Sequence, residues 1–214
     1  MAKTLRIEIA SDVICPWCYI GKRRFEQALA KFPGKEQVQV VWRSFELDPD
    51  APSQREGTLQ EHLAKKYHVS LEEAAAMNER VTSVAKEVGL DYHLSDARPG
   101  NTFDAHRLLH YAASKQLGDQ AGERLMQAYF SESLPVGERA ELARLAPEFG
   151  IPEDEALKLL ESKEFEKEVR ADEARATAFG ITGVPFFVFN EQFGVSGAQP
   201  IETFTKALLQ AANS

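Results

Sequence analysis

The stretch that decides the fold is DVICPWCYIGKRRFEQAL, residues 12–29. It holds both cysteines of the 214-residue chain, Cys15 and Cys18. The segment before it, TLRIEIA (4–10), alternates apolar and polar side chains and is expected to be a strand. A turn is expected at Ser11-Asp12, and a helix from Cys15 onward. Pro16 falls in the first helical turn, where a missing N–H leaves no bond unmade, and Pro33-Gly34 ends the helix. At i, i+3 on a helix the two thiols share a face, near enough for a disulfide to close. Cys15, at the helix start, meets exposed backbone N–H groups and the positive end of the helix dipole, which favour a thiolate. Cys15 then attacks, and Cys18, more enclosed, resolves the mixed disulfide. Pro16 and Trp17 restrict the loop and shield the pair. Two other readings compete, simple packing of small apolar residues and a zinc site. A structural zinc site takes four ligands, and the chain has no second C-x-x-C and no matching histidine loop. His106 and His110 stand at i, i+4, a spacing that any amphipathic helix also produces, so no metal is expected.

Outward from this centre, VQVVWRSFEL (38–47) is rich in β-branched and aromatic residues and reads as a second strand. After DPDAPS the texture changes. From about Leu59 to Ala178 the periodicity is helical, with almost no strand signal. Strands return with PFFVFN (185–190) and QFGVSG (192–197), and QPIETFTKALLQAA closes the chain as a helix with Pro200 in its first turn. The order is β-α-β, a helical block, then α-β-β-α. The fold class is α/β, a small mixed sheet interrupted by a helical subdomain, with residues 1–55 and 170–214 forming one domain and 56–169 inserted. Glu153 or Asp154 is a candidate helix cap after Pro152, and Asn101-Thr102 another. The acidic segment ESKEFEKEVRADEAR (161–175) reads as a solvated helix face carrying a Glu166–Arg170 pair.

Composition excludes several functions. The formal net charge of −8 and a pI near 5.3 argue against nucleic acid as the main partner, and Lys22-Arg23-Arg24 is too short to reverse that. No apolar run reaches the length of a membrane span, and MAKTLRIEIASD lacks the apolar core of a secretory signal. The expectation is a cytoplasmic protein, where a C-x-x-C points to redox chemistry or metal binding.

The second informative stretch is FGITGVPFFVFN (179–190). A proline ahead of a strand is tolerated at the first residue or on an edge. Pro185 is either a trans proline starting an edge strand or a cis-proline loop facing the cysteines, and the upstream C-x-x-C favours the second. A cis bond turns the Val184 N–H and C=O outward, where they can pair with an extended substrate. In NTFDAHRLLHYA (101–112), Phe103, Leu108 and Ala112 either supply an apolar groove wall, with His106 and a solvated Arg107 at its rim, or simply pack the helix with its polar residues satisfied. Ser196 and Gly197 either contact substrate or make a turn.

SDVICPWCYIGKRRFEQAL, WRSFELDPDAP, NTFDAHRLLHYA, GVPFFVFN and VSGAQP together resemble the DsbA-like thioredoxin-fold oxidoreductases of the FrnE type, from Ile7 to Leu209. The resemblance implies a thioredoxin fold interrupted by a helical domain, a dithiol site at Cys15 and Cys18, and Pro185 as the cis-proline. Two neighbouring families, the 2-hydroxychromene-2-carboxylate isomerases and the kappa-class glutathione transferases, typically carry serine where this chain has Cys15. Their substrate pockets draw on the region matching residues 101–112, which makes Asn101 and His106 binding candidates. The expected activity is thiol–disulfide exchange with protein or small-molecule thiols and disulfides. No cofactor is expected to be tightly bound. Glutathione is the expected co-substrate, or a thioredoxin-like protein the reductant, and the chain is expected to be a monomer or homodimer. The alternatives are a glutathione-dependent isomerase and a chaperone or zinc-binding module. Two departures stand out. DsbA has histidine where this chain has Trp17, which implies a weaker oxidant. An acid usually lies beneath the resolving cysteine; Glu8 and Asp12 are the candidates for proton transfer, at a spacing that does not match cleanly, and Asp12 could equally be a cap.

Overall fold

The computed structural model describes residues 4–214. The chain divides into two units, one built from the chain up to Leu47 together with Asp172–Ser214, the other from Asp48–Ala171. In the first, β1 (Leu5–Ser11) leads into α1 (Pro16–Ala30) and returns through β2 (Val38–Ser44).

Between β2 and the rest of the sheet lie α2 (Leu59–Tyr67), α3 (Leu71–Glu87), α4 (Phe103–Ser114), α5 (Gly118–Glu132), α6 (Arg139–Leu145) and α7 (Glu153–Glu161). Then come α8 (Glu166–Ala178), β3 (Phe186–Phe189), β4 (Phe193–Ser196) and α9 (Ile201–Ala212). Among the described residues the strands form one four-stranded sheet in the order β2-β1-β3-β4. β1 pairs parallel with β2, Ile9 opposite Trp42, and antiparallel with β3, Ile9 opposite Phe187. β3 and β4 are antiparallel. This is the β-α-β, α-β-β-α order of a thioredoxin fold.

Side chains alternate across a strand, and β1 uses both faces. Leu5, Ile7 and Ile9 join Phe25 and Ala28 of α1, Phe187 and Phe189 of β3, and Phe204 and Leu208 of α9 in one core. Phe25, Phe187 and Phe204 meet there, with ring centroids 4.6–5.8 Å apart. Ala10 and Val188 face the other way, against Ala176 of α8 and Ile181. The same second face carries Glu8, which is buried and held by Arg6 (3.0 Å), Arg43 (3.2 Å) and Arg175 (2.7 Å). Arg43 also reaches Asp172 at 2.9 Å, whose other oxygen accepts from the Ser44 N–H. This ion-pair network ties β1, β2 and the last turns of α8 together. The acidic segment 161–175 is therefore not simply solvated. Asp172 is buried at the sheet, and Arg170 lies 4.2 Å from the Phe103 ring centroid.

In the helical unit, α2 and α3 begin with reciprocal capping boxes, Thr58 with Glu61 and Ser70 with Glu73. Pro152 is the N-cap of α7, so Glu153 and Asp154 lie in its first turn instead of capping it. Thr102 is the N-cap of α4 without a side-chain bond; Asn101 Oδ1 accepts from the Phe103 N–H. Arg107, expected at a solvated rim, is fully buried. It donates to the carbonyls of Leu159 (2.8 Å), Leu160 (3.3 Å), Ser162 (2.7 Å) and Glu164 (2.8 Å), and to Asp104 at 2.7 Å. A guanidinium has five donors, and here they satisfy the orphan carbonyls at the negative end of α7. Leu108 and Ala112 are core residues, not a groove wall.

The unit boundaries fall at Leu47/Asp48 and Ala171/Asp172, against the expected 55/56 and 169/170. Hydrogen bonds explain the first. The Asn101 N–H reaches the Pro52 carbonyl, Asn101 Nδ2 the Pro49 carbonyl, and the Arg55 N–H the Pro99 carbonyl. The 49–55 segment thus belongs with the helices. No helix among the described residues is long and apolar enough to cross a membrane.

Candidate active site

β1 runs one residue further than the alternation in 4–10 marks, so Ser11 ends the strand rather than opening a turn. Asp12 then makes the turn. Its carbonyl accepts from the Cys15 N–H at 3.1 Å, and its Oδ2 accepts from the Leu47 N–H at 2.8 Å. The turn delivers Cys15 to the N-cap of α1, with Pro16 as the first helical residue, and the Cys18 N–H returns to the Cys15 carbonyl at 3.0 Å. Both cysteines are free thiols. Cys15 is 4% exposed and Cys18 1%, while Trp17 between them is 40% exposed and marks the surface above the pair.

The loop before β3 closes on this helix start. Cys15 Sγ–H donates to the Val184 carbonyl at 3.5 Å, and the Val184–Pro185 peptide is cis. Gly197, at φ +80°, donates its N–H to the Pro185 carbonyl at 2.8 Å. Arg24 of α1 donates to the neighbouring Ala198 carbonyl at 2.7 Å. Ser196 thus ends β4 opposite Phe186, and Gly197 begins the bend that braces the proline loop. Gly21 lets the helix lie against it, since a Cβ there would stand 2.9 Å from Pro185 Cγ and 3.6 Å from the Ala198 Cα. A helix-interior glycine costs about 1 kcal/mol relative to alanine, and close approach is what that cost secures.

Burial pushes the Cys18 thiol well above the ordinary value of 9.0, and Cys15 beside it acts in the same direction. The Ser11 hydroxyl and the Asp12 backbone N–H act the other way, too weakly to offset burial. Cys18 is accordingly protonated at neutral pH. Glu8 does not join this group. It lies on the opposite face of the sheet from α1. Burial raises its pKa, but the hydrogen bonds and charges of Arg175 and Arg43 more than offset that and hold the carboxyl below 4.5.

The structure brings together Cys15, Pro16, Trp17, Cys18, Val184 and Pro185, with Asp12 beneath them. Asn101 and His106 belong to the helical unit. Asn101 is occupied in holding the 49–52 segment, and His106 is buried on α4. Ser11, Gly21 and Arg24 also belong to the site, without a motif that marks them. Ser11 continues the inward row Leu5, Ile7, Ile9, and Gly21 interrupts a helical pattern, so both left a signal; Arg24 left none. Among the described residues no cluster of three or more His, Cys, Asp or Glu side chains is placed to hold a metal ion.

Comparison with known proteins agrees with this architecture. The crystal structure of a probable DsbA oxidoreductase from Streptomyces coelicolor is 42% identical, with a TM-score of 0.94 over 98% of this chain and 91% of that one. An uncharacterised protein of Bacillus subtilis, YwbO, is 27% identical over 96% of each chain. The cytosolic disulfide reductase DsbM of Pseudomonas aeruginosa, solved with GSH, shares the fold at 16% identity and a TM-score of 0.66, covering 98% of this chain and all of its own. Residues 6–209 match the DSBA-like thioredoxin domain, and the chain belongs to that family.

Proposed function

We propose that the protein is a thiol–disulfide oxidoreductase acting through Cys15 and Cys18. The observation that carries this reading is the pair itself: two free thiols at the N-terminus of α1, with the Val184 carbonyl on Cys15. The Cys15 thiolate attacks one sulfur of a substrate disulfide, R–S–S–R′. This forms the mixed disulfide Cys15–S–S–R and releases R′S⁻, which takes up a proton. The Cys18 thiolate then attacks Cys15 Sγ, displaces RS⁻ and leaves a Cys15–Cys18 disulfide. The substrate gains two electrons and the protein loses two; the reverse sequence oxidises a dithiol.

Cys15 stands at the N-terminus of α1, and Cys18, protonated and enclosed, is held back until the mixed disulfide forms. The Val184 backbone and the exposed Trp17 ring offer an edge and an apolar contact for a substrate chain. Glutathione is the proposed reductant that regenerates the dithiol, a role to which the GSH-bound Pseudomonas aeruginosa structure lends support. The cytosol is the proposed location. Isomerisation of a small ketone gives the second thiol no task, so the pair favours exchange.

The test is disulfide reduction of insulin and of a glutathionylated peptide by Cys15→Ser. Loss of at least a hundredfold in rate is expected; undiminished activity would overturn the mechanism.

A further inference from the structure

Ser11 sits at the C-terminal end of β1, in the row that Leu5, Ile7 and Ile9 send toward α1, directly ahead of the turn that starts the helix. It is 6% exposed, and among the described residues its Oγ has no hydrogen-bond partner with acceptable geometry. A buried hydroxyl without a partner costs free energy, and such a group at a reactive centre calls for an explanation. The surroundings supply one. The Phe45 N–H donates to the Ser11 carbonyl at 3.1 Å, fixing the backbone while leaving the side chain to turn. Its hydroxyl acts on Cys18, on the side of the thiolate. A neutral thiol is a poor acceptor; a thiolate is a strong one.

We propose that Ser11 is a catalytic residue of the resolving step, its hydroxyl donating to the Cys18 thiolate as that thiolate forms. The inference rests on the exchange reading above. In the mixed disulfide, Cys18 gives up its proton, which ends on the departing substrate thiolate. While the charge resides on Cys18 Sγ, the Ser11 O–H and the Asp12 N–H hold it from the strand side. The new Sγ–Sγ bond then forms and the hydroxyl returns to its resting state. The other polar and sulfur side chains of this region are engaged elsewhere. Asp12 Oδ2 is taken up by the Leu47 N–H, Glu8 points to the opposite sheet face among arginines, and Cys15 is the sulfur under attack.

The experiment follows alkylation of Cys18 by iodoacetamide against pH, by mass spectrometry, in the Cys15→Ser background. Ser11→Ala should move the midpoint upward by about one unit, equivalent to a tenfold smaller thiolate fraction at fixed pH. Ser11→Thr should restore it, and Ser11→Val, nearly isosteric with threonine, should not. An unchanged midpoint in the alanine and valine proteins would overturn the proposal, as would equal shifts in threonine and valine. The Thr/Val pair decides the question even where the alanine protein folds poorly. Because this readout needs no turnover, its failure leaves exchange chemistry standing, whereas activity surviving in Cys15→Ser would remove that reading by itself.

Discussion

Replacing Gly21 by alanine sets two effects against each other at the contact that braces the proline loop. Alanine gains about 1 kcal/mol of helix propensity. Its Cβ, however, would stand 2.9 Å from Pro185 Cγ and 3.5 Å from Phe187 Cζ. The first is about 0.6–1 Å short of the 3.5–4.0 Å optimum for carbon pairs. Pro185 cannot swing away as a flexible side chain would. Its carbonyl is bonded to the Gly197 N–H at 2.8 Å, and the adjacent Ala198 carbonyl to Arg24 at 2.7 Å. Overpacking of this kind costs roughly 1–3 kcal/mol, which leaves a net loss of about 0–2 kcal/mol. The functional effect should be larger. Moving the loop by half an ångström or more takes the Val184 carbonyl beyond bonding distance of Cys15, now 3.5 Å. A misplacement of about 1 Å at a reacting centre costs on the order of a hundredfold. Insulin reduction should therefore fall at least tenfold in Gly21→Ala, while thermal unfolding moves down by no more than about 8 °C. A variant that is more stable than the parent and fully active would refute the reasoning, because the helix gain would then have come without displacing the loop.

Glu8→Gln leaves three arginines without their shared carboxylate. Because those arginines are part-exposed, the loss should be about 1–3 kcal/mol, below the range for wholly buried pairs, and urea unfolding measures it. The folded pKa of Glu8 lies below 4.5, so its contribution is present above that pH and fades as pH falls through the folded value; the glutamine protein should show a shallower loss of stability below pH 4.5, and equal slopes would count against the network. Arg107→Met strips a donor from each of the carbonyls of Leu159, Leu160, Ser162 and Glu164 and should cost about 3–5 kcal/mol, read by the same denaturation. Trp17→His places a cationic ring beside Cys15 and should make the couple more oxidising by roughly 30–60 mV, equivalent to about 1.4–2.8 kcal/mol, measured against a glutathione buffer; an unchanged potential would show that position 17 does not tune the pair.

Much of this was legible in the chain because alternation and turn residues are local signals. TLRIEIA and PFFVFN declared strands, the DPDAPS break marked the switch to helices, and Pro16 placed the helix start within a residue. What stayed hidden depends on partners far along the chain. Arg107 carried a charge and therefore looked like a surface residue, and only the arrival of the α7 carbonyls makes burying it favourable. Asp172 and Arg175 lie in an acidic run that looks solvated by itself, because their partners Arg43 and Glu8 are more than 120 residues upstream. The T-x-x-E and S-x-x-E capping signatures at Thr58 and Ser70 are local, and stronger helical signals around them mask where α2 and α3 begin. At the site, the cysteines and the proline loop stood out by residue type. Ser11 and Gly21 did not, since each acts through position rather than through distinctive chemistry.

The central claim is that Cys15 is the sulfur that bonds to substrate and Cys18 the sulfur that releases it. Incubating Cys18→Ala with glutathione disulfide and weighing the intact protein tests it most directly. The account predicts one stable glutathione adduct, mapped by proteolysis to Cys15 and absent from Cys15→Ser. An adduct carried instead by Cys18 in Cys15→Ser, with none formed in Cys18→Ala, would contradict it.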